Sequence, residues 1–394
     1  MPRFEPFIGI RYNTDSLDPR DVTAPPYDVI SASDRVELVR RAPTNVVRVD
    51  LPVEGDDPYG DAARAFAQWR AEGVLVDDPE PSFTVYRMDA PDENGVVRHT
   101  TGVIGALQLS RPGEGDILPH EFTTPKAKSD RLDLLRSTRS NLSAVWGLSP
   151  ATGLTELLQC EDEPLTVFEA DGVVHSVWRI TDPARLSAIR AAVGSAPIVI
   201  ADGHHRYETS LAYRDERRAD EGSGGAADSV MTFVVELVED ELTVGPIHRL
   251  IDGLPEGFDL REALAPFFTI EPFAFDDTST VARMAQLGAM VLVLPDSTWS
   301  MIPSASTIAA TRDLDSSRLD LALATLPDHS LTYQHGVTHS RDAVASGRAQ
   351  ASVLLRPVTI DQIVAIAEGG EKMPPKSTFF APKPRTGIVF RSLD

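Results

Sequence analysis

The sequence predicts an α+β chain built around a mixed sheet. Short β-branched runs alternate irregularly with stretches of helical period, without the regular strand–helix repeat of a doubly wound sheet. Proline and glycine punctuate the chain at turn-like positions, and no internal repeat or coiled-coil period is present. With 394 residues, 42% apolar and 24% charged, the chain can bury a full core spread over several subdomains. Three regions are expected: an N-terminal α/β region over 1–117, a core over 118–250, and a C-terminal α/β region over 251–394 that ends in a basic tail.

The N-terminal region opens with the Pro-Pro turn "APPYDVI" (24–30), where the first proline forces its predecessor extended. "SASDRVELVRRA" follows with a capping start and Val36 and Val39 at helical spacing. "YGDAARAFAQWRAEGVLV" is a second amphipathic helix, ended at Gly73. "SFTVYRMDA" and "GVVRHTTGVIGALQLS" read as strands around an Asn94-Gly95 turn. In the core region a helix is expected from near Ser129, then the strand "GVVHSVWRIT" and the helix "DPARLSAIRAAV". "APIVIADGHHRYETSLAYRDERRA" reads as strand, loop and helix. "DEGSGGAADS" (220–229) is a Gly/Ser-rich connection, expected to be mobile. A pair of strands follows, the second ended by His248 and Arg249. The last region reads as helices at "LREALAPFF", "STVARMAQLG", "SRLDLALATL" and "TIDQIVAIAEGG", with a strand at "AMVLVLP".

Charge narrows the function. The formal net charge is −22, a surface that repels nucleic acid and anionic membrane. One cysteine, Cys160, excludes an internal disulfide framework and a cysteine-rich zinc site, and suits a reducing compartment. No run approaches the ~18 apolar residues of a membrane span, and the N-terminus lacks a signal-peptide pattern. A cytoplasmic protein with no nucleic-acid and no membrane partner is expected. Against this acidity, residues 122–141 hold five basic side chains to two acidic, and residues 372–394 five to one. The two islands read either as a focused anion site or as solvated faces.

Three stretches carry chemistry, and "GPIHRL", with His248 and Arg249, is a fourth that reads equally as functional or structural. In "ADGHHRYET", Asp202 ends a strand and Gly203 permits a sharp turn. His204, His205 and Arg206 then add donors at a helix N-terminus, which itself favours anions. A phosphate cradle is the first reading; a metal site and a purely structural turn are the others. In "LPHEFTTPKAKSDRL", Glu121 lies between His120 and a basic island, and reads as a general base or as a surface glutamate. In "MPPKSTFFAPKPR", Lys376, Ser377, Thr378, Lys383 and Arg385 suit phosphate oxygens, although no Walker loop is present. A solvated basic tail is the alternative.

Together, "PPYDVI", "HE", "ADGHHRYET", "HRL" and "MPPKSTFFAPK" resemble the free L-serine kinase family of the ParB/sulfiredoxin-like fold, in its long bacterial branch. The resemblance implies a ParB/sulfiredoxin-like mixed-sheet core with N- and C-terminal α/β extensions. It implies transfer of a phosphoryl group to the hydroxyl of free L-serine, giving O-phosphoserine, for which cysteine biosynthesis is one destination. Glu121 becomes the base on the serine hydroxyl, and Asp202 to Arg206 the donor-phosphate loop. Family members use ATP, ADP or pyrophosphate, and the long branch is associated with pyrophosphate. A donor without base or ribose needs cations rather than an apolar slot, which Lys376, Lys383 and Arg385 would supply. Mg²⁺ would bridge donor oxygens, with Asp202 as the protein's metal residue. Arg131 and Arg249 are candidates for the serine carboxylate, with His120 nearby, and Asp28 for its ammonium. A ParB-like nucleotide-dependent binding or regulatory protein and a phosphate-releasing hydrolase are the competing readings. Compact relatives lack the "PPYDVI" and "KST" segments, so the roles of those segments rest on their chemistry.

Overall fold

The computed structural model describes residues 1–394 apart from 54, 92–95, 120–124, 223–224, 239–242, 277–278, 370–372 and 374–375, and apart from the side chains of 125–128, 221, 243, 364 and 367–368. The chain forms two compact units, Met1–Thr243 with Pro382–Asp394, and Val244–Ala381.

The first unit is built on a nine-stranded mixed sheet. Its order runs Ile117–Pro119, Ile198–Asp202, Val145–Ser149, Ser229–Glu236, Val97–Gln108, Phe83–Pro91, Val173–Ile180 and Thr166–Ala170, with Phe4–Glu5 added on Val97–Gln108. The pairs Ile117–Pro119 with Ile198–Asp202 and Val145–Ser149 with Ser229–Glu236 are parallel. The remaining pairs are antiparallel. The chain is therefore α+β, as its irregular alternation predicts. Strands from both sides of residue 118 are hydrogen-bonded into this one sheet.

Among the apolar clusters of the unit, two are large. One joins Phe83, Val103, Ile198, Ile200 and Tyr207 to Ile189 and Val193 of the helix Pro183–Val193. That helix starts where the sequence places it, with Asp182 accepting from the Arg185 amide and proline in its first turn. The other core gathers Ala62, Phe66 and Trp69 from the helix Pro58–Ala71 with Leu134 and Phe390. Phe390 is fully buried, and side chains of its size contribute about 1.5–3 kcal/mol when removed from water. Its backbone exchanges both hydrogen bonds with Ile10, at 2.9 and 2.8 Å. Arg391 and Ser392 then pair with Asn141 and Ser140. These contacts fasten the C-terminal segment to the first unit.

The second unit holds a six-stranded antiparallel sheet in the order Phe268–Pro272, Ser297–Pro303, Met290–Leu294, Ala351–Leu354, His248–Asp252 and Ser330–Gln334. Its core includes Ile251, Leu264, Leu292, Met301, Leu319 and Val353.

Several local expectations shift. The helix expected from Ser129 runs Pro125–Thr138, since proline is at home in a first turn and the polar "KAKS" stretch hides the start. His248 and Arg249 open the strand His248–Asp252 instead of ending one. The Gly/Ser-rich connection is short: the preceding helix reaches Glu221, and a 3₁₀ turn forms at Ala226–Asp228. The Asn94-Gly95 turn lies outside the described residues.

Candidate active site

The strand Ile198–Asp202 is a buried apolar run that ends in a carboxylate. Strict alternation would turn Asp202 to the same face as Ile198 and Ile200, both of which lie in the apolar core. The register against Val145–Ser149 slips just there. Ile200 pairs with Gly147 but Asp202 with Trp146, so one extra residue enters the strand and breaks the alternation.

Gly203 is the only residue between this strand and the helix His204–Glu221. Its φ is 89°, a left-handed conformation that glycine adopts without strain. A Cβ there would lie 3.0 to 3.1 Å from the Arg206 guanidinium. The guanidinium thus folds back over Gly203, and its Nη2 donates to Asp202 Oδ2 at 2.8 Å. Arg206 Nη1 donates to the Ala144 carbonyl. His204, His205 and Arg206 form the first turn of the helix, where backbone N–H groups lack intrahelical acceptors.

A second cation arrives from the C-terminal segment. Lys383 Nζ donates to Asp202 Oδ1 at 2.8 Å and to Asp28 Oδ2 at 2.6 Å. Asp28 comes from the 3₁₀ turn Tyr27–Val29 that follows the Pro-Pro pair. Burial pushes the Asp202 carboxyl up, but Lys383 and Arg206 outweigh burial and hold it down at about 2. Burial likewise opposes charge on Lys383, and Asp202 and Asp28 outweigh it and raise the lysine's pKa.

Arg131, Asp50 and Arg206 line one small cleft beside this cluster, together with Ser143, Thr209 and Ser210. Arg131 Nη1 donates to the Asp50 carbonyl at 2.6 Å, and its Nη2 lies 2.8 Å from Asp130. The Tyr27 ring packs 4.3 Å from the Arg131 guanidinium carbon. Asp50 is 4% exposed, and burial raises its pKa against the opposing pull of Arg131 and Arg206. Asp50 was not singled out from the sequence. It closes the short helix Val47–Asp50, and "NVVRVD" reads there as an ordinary apolar run with charges. Its burial was the missing signal, and burial of one aspartate is not visible in residue order.

Asp28, Arg131, Asp202, Gly203, Arg206 and Lys383 therefore belong to one unit and one connected cluster, with His204 and His205 on the adjoining helix turn. Arg385 also belongs to this unit, yet it is buried and bonded to Asp171, to Thr23 Oγ1 at 3.0 Å and to the Thr23 carbonyl at 3.2 Å. Its guanidinium braces the tail. Arg249, Lys376, Ser377 and Thr378 belong to the second unit. There Arg249 donates to the carbonyls of Ile247 and Lys376, and the Ser377 hydroxyl lies 3.0 Å from that of Ser316. His120 and Glu121 lie outside the described residues.

Among the described residues, arginines of the first basic island are paired with acidic side chains. Arg136 pairs with Glu216 and Asp133, and Arg139 with Asp394. Among the described residues no cluster of three or more histidine, cysteine or carboxylate side chains is placed to hold a metal. Asp28 and Asp202 do present carboxylate oxygens, the donor type that Mg²⁺ accepts, so the residues fit that ion in kind. No helix among the described residues is long and apolar enough to cross a membrane.

An α+β unit with carboxylates and cations gathered at a helix N-terminus is the class that the geometry defines. The chain belongs to the family described as protein of unknown function (DUF1015), whose pattern matches residues 4–321. No curated protein matches it. Solved structures similar to it include a free serine kinase mutant in complex with AMP, at 12% identity and TM-score 0.39, covering 69% of this chain and 88% of that one. SbnI with a C-terminal truncation from Staphylococcus aureus matches at 11% identity and TM-score 0.40, over 72% and 85%. A conserved hypothetical protein from Pyrococcus furiosus matches at 11% and 0.37, over 70% and 90%. Likeness at this level says nothing about chemistry.

Proposed function

We propose that the protein is a phosphotransferase that moves a phosphoryl group from pyrophosphate to the hydroxyl of free L-serine. The observation that carries this reading is the convergence of Lys383 and Arg206 on Asp202 at the N-terminus of the helix His204–Glu221. Phosphoryl transfer needs positioning and charge neutralisation more than covalent help from the protein. A pair of largely buried cations at a helix N-terminus, the end that favours anions, supplies both. The "HE" and "DGHHR" motifs point the same way by their resemblance to free L-serine kinases.

In this reading Glu121 takes the proton from the serine hydroxyl as its oxygen attacks phosphorus. The P–O bond to the leaving phosphate breaks, and inorganic phosphate departs with the electron pair. His204, His205 and the amides of the first helical turn hold the transferring group. Lys383 and Arg206 offset the charge on donor oxygens, and Asp202 keeps both cations in place. Asp28 and Asp202 would hold Mg²⁺, directly or through water, and the ion's chemistry is neutralisation of donor charge. Arg131 takes the serine carboxylate. For the ammonium, Asp50 joins Asp28 as a candidate, because Asp50 shares the cleft with Arg131.

The test is turnover of the Glu121→Gln variant. Loss of a general base lowers the rate by about a hundredfold to ten-thousandfold. The account expects that loss in kcat with the melting temperature unchanged. Turnover close to wild type would remove Glu121 from the mechanism.

A further inference from the structure

The first unit contains a second cavity, of about 300 Å³, which none of the residues discussed above as catalytic lines. That volume lies at the lower end of ordinary small-molecule sites. Its lining is largely apolar and includes Leu165, Phe168 and Ile388. The opposite chemistry comes from Arg11, Arg179 and Asp78. Arg11 Nε donates to both oxygens of Asp78 at 3.0 Å, and Arg179 Nη1 lies 3.3 Å from Asp78 Oδ1. Arg11 Nη2 donates to the Thr84 hydroxyl at 2.6 Å, a neutral acceptor. Two guanidinium groups therefore share one carboxylate. A further aspartate, Asp15, lines the same cavity, but it is exposed to water.

The Arg11–Asp78 pair is enclosed. The side chain of Asp78 is 6% exposed and that of Arg11 12%. Arg11 Nη1 is buried and finds no acceptor among the described residues. Buried polar groups are ordinarily satisfied, and buried charge ordinarily has a counterion. Arg179, at 27%, is the guanidinium open enough to meet a ligand. A fork of donors in a cavity with a largely apolar lining matches a carboxylate with a short hydrocarbon body.

We propose that this cavity is a binding site for a small amphipathic carboxylate, distinct from the phosphoryl-transfer site and independent of that reading. Arg179 takes the carboxylate head, and Phe168, Leu165 and Ile388 take the chain.

The experiment is calorimetric titration of the full-length protein with straight-chain carboxylates from acetate to hexanoate, and with 1-alkanols of equal length. Catalytic activity is not the readout. Affinity is expected to rise by about fourfold per methylene until the cavity fills. Each alkanol is expected to bind at least about tenfold more weakly than its carboxylate, because it offers no charge-assisted hydrogen bond. Arg179→Met should remove that preference while leaving the chain-length trend, and its melting curve shows whether it folds. The fold-independent check is competition: hexanoate should displace pentanoate from the wild-type protein. Equal binding of carboxylate and alkanol, an unchanged preference in a folded Arg179→Met, or no binding by any carboxylate would each overturn the proposal.

Discussion

Asp202 binds two cations at once, and its titration reports both. Its carboxyl is held at about 2 in the folded chain against an ordinary value near 3.8. A depressed folded pKa gives stability that is fully present above the unfolded value and is lost as pH falls through the folded one. The window is therefore roughly pH 4 down to 2, and the linked stability is about 2 kcal/mol. Asp202→Asn should make the decline of urea-derived stability across that window shallower than in wild type, where other depressed carboxylates such as Asp215 and Glu216 also contribute. A variant as steep as wild type would show that Lys383 and Arg206 do not hold the carboxyl down. Asp50 makes a separate residue-level prediction, since it shares the cleft with Arg131 and not the contact with Lys383. Asp50→Asn should raise KM for serine by about tenfold, the order expected when one charge-assisted contact is lost, and leave KM for pyrophosphate unchanged. A change in the pyrophosphate constant alone would assign Asp50 to the donor side.

The strand, Gly203 and the helix His204–Glu221 form one device that aims Asp202 and Arg206 at each other. Alanine at 203 would carry the left-handed cost of about 1–2 kcal/mol and press its Cβ on the Arg206 guanidinium. Gly203→Ala should therefore lose about that much stability in urea and also weaken pyrophosphate binding. A stability loss with binding intact would mean that the Arg206 position over Gly203 is not needed by the ligand. This device was largely legible in sequence. An apolar run, an Asp-Gly pair and a polar helix start have local causes, so residue order records them. The register slip at Asp202 was not legible, because the slip is set by the pairing with Trp146 and Gly147 on another strand. In the second unit the strands Ser297–Pro303 and Ser330–Gln334 also escaped sequence reading. "STWSMIP" and "SLTYQ" mix serine, threonine and proline with few aliphatics, and what makes them strands is their neighbours in the sheet.

At the scale of the molecule, the candidate site depends on contacts between distant parts of the first unit. Lys383 is 355 residues from Asp28 and 181 from Asp202. The bonds of Ile10 to Phe390 and of Asn141 to Arg391 fix the segment that carries it. Residue types announced a basic tail, and its reading as a phosphate contact kept Lys383 among the candidates. Which of its cations reaches Asp202 depended on that long closure, and Arg385, two residues on, is taken up by Thr23 and Asp171 instead. The net charge of −22 is a property of the whole surface, whereas the cations of the candidate site are paired locally with Asp28, Asp50 and Asp202. In the proposed reaction a polyanion would enter through local geometry and not through the mean field of the protein.

The most direct test is phosphorus NMR of the purified protein with Mg²⁺ and L-serine, in parallel samples of pyrophosphate, ATP and ADP. The account predicts a phosphoserine resonance and one equivalent of inorganic phosphate in the pyrophosphate sample, and neither in the nucleotide samples. Phosphoserine from a nucleotide alone would contradict the donor assignment. Phosphate without phosphoserine, or no change in any sample, would contradict the kinase itself.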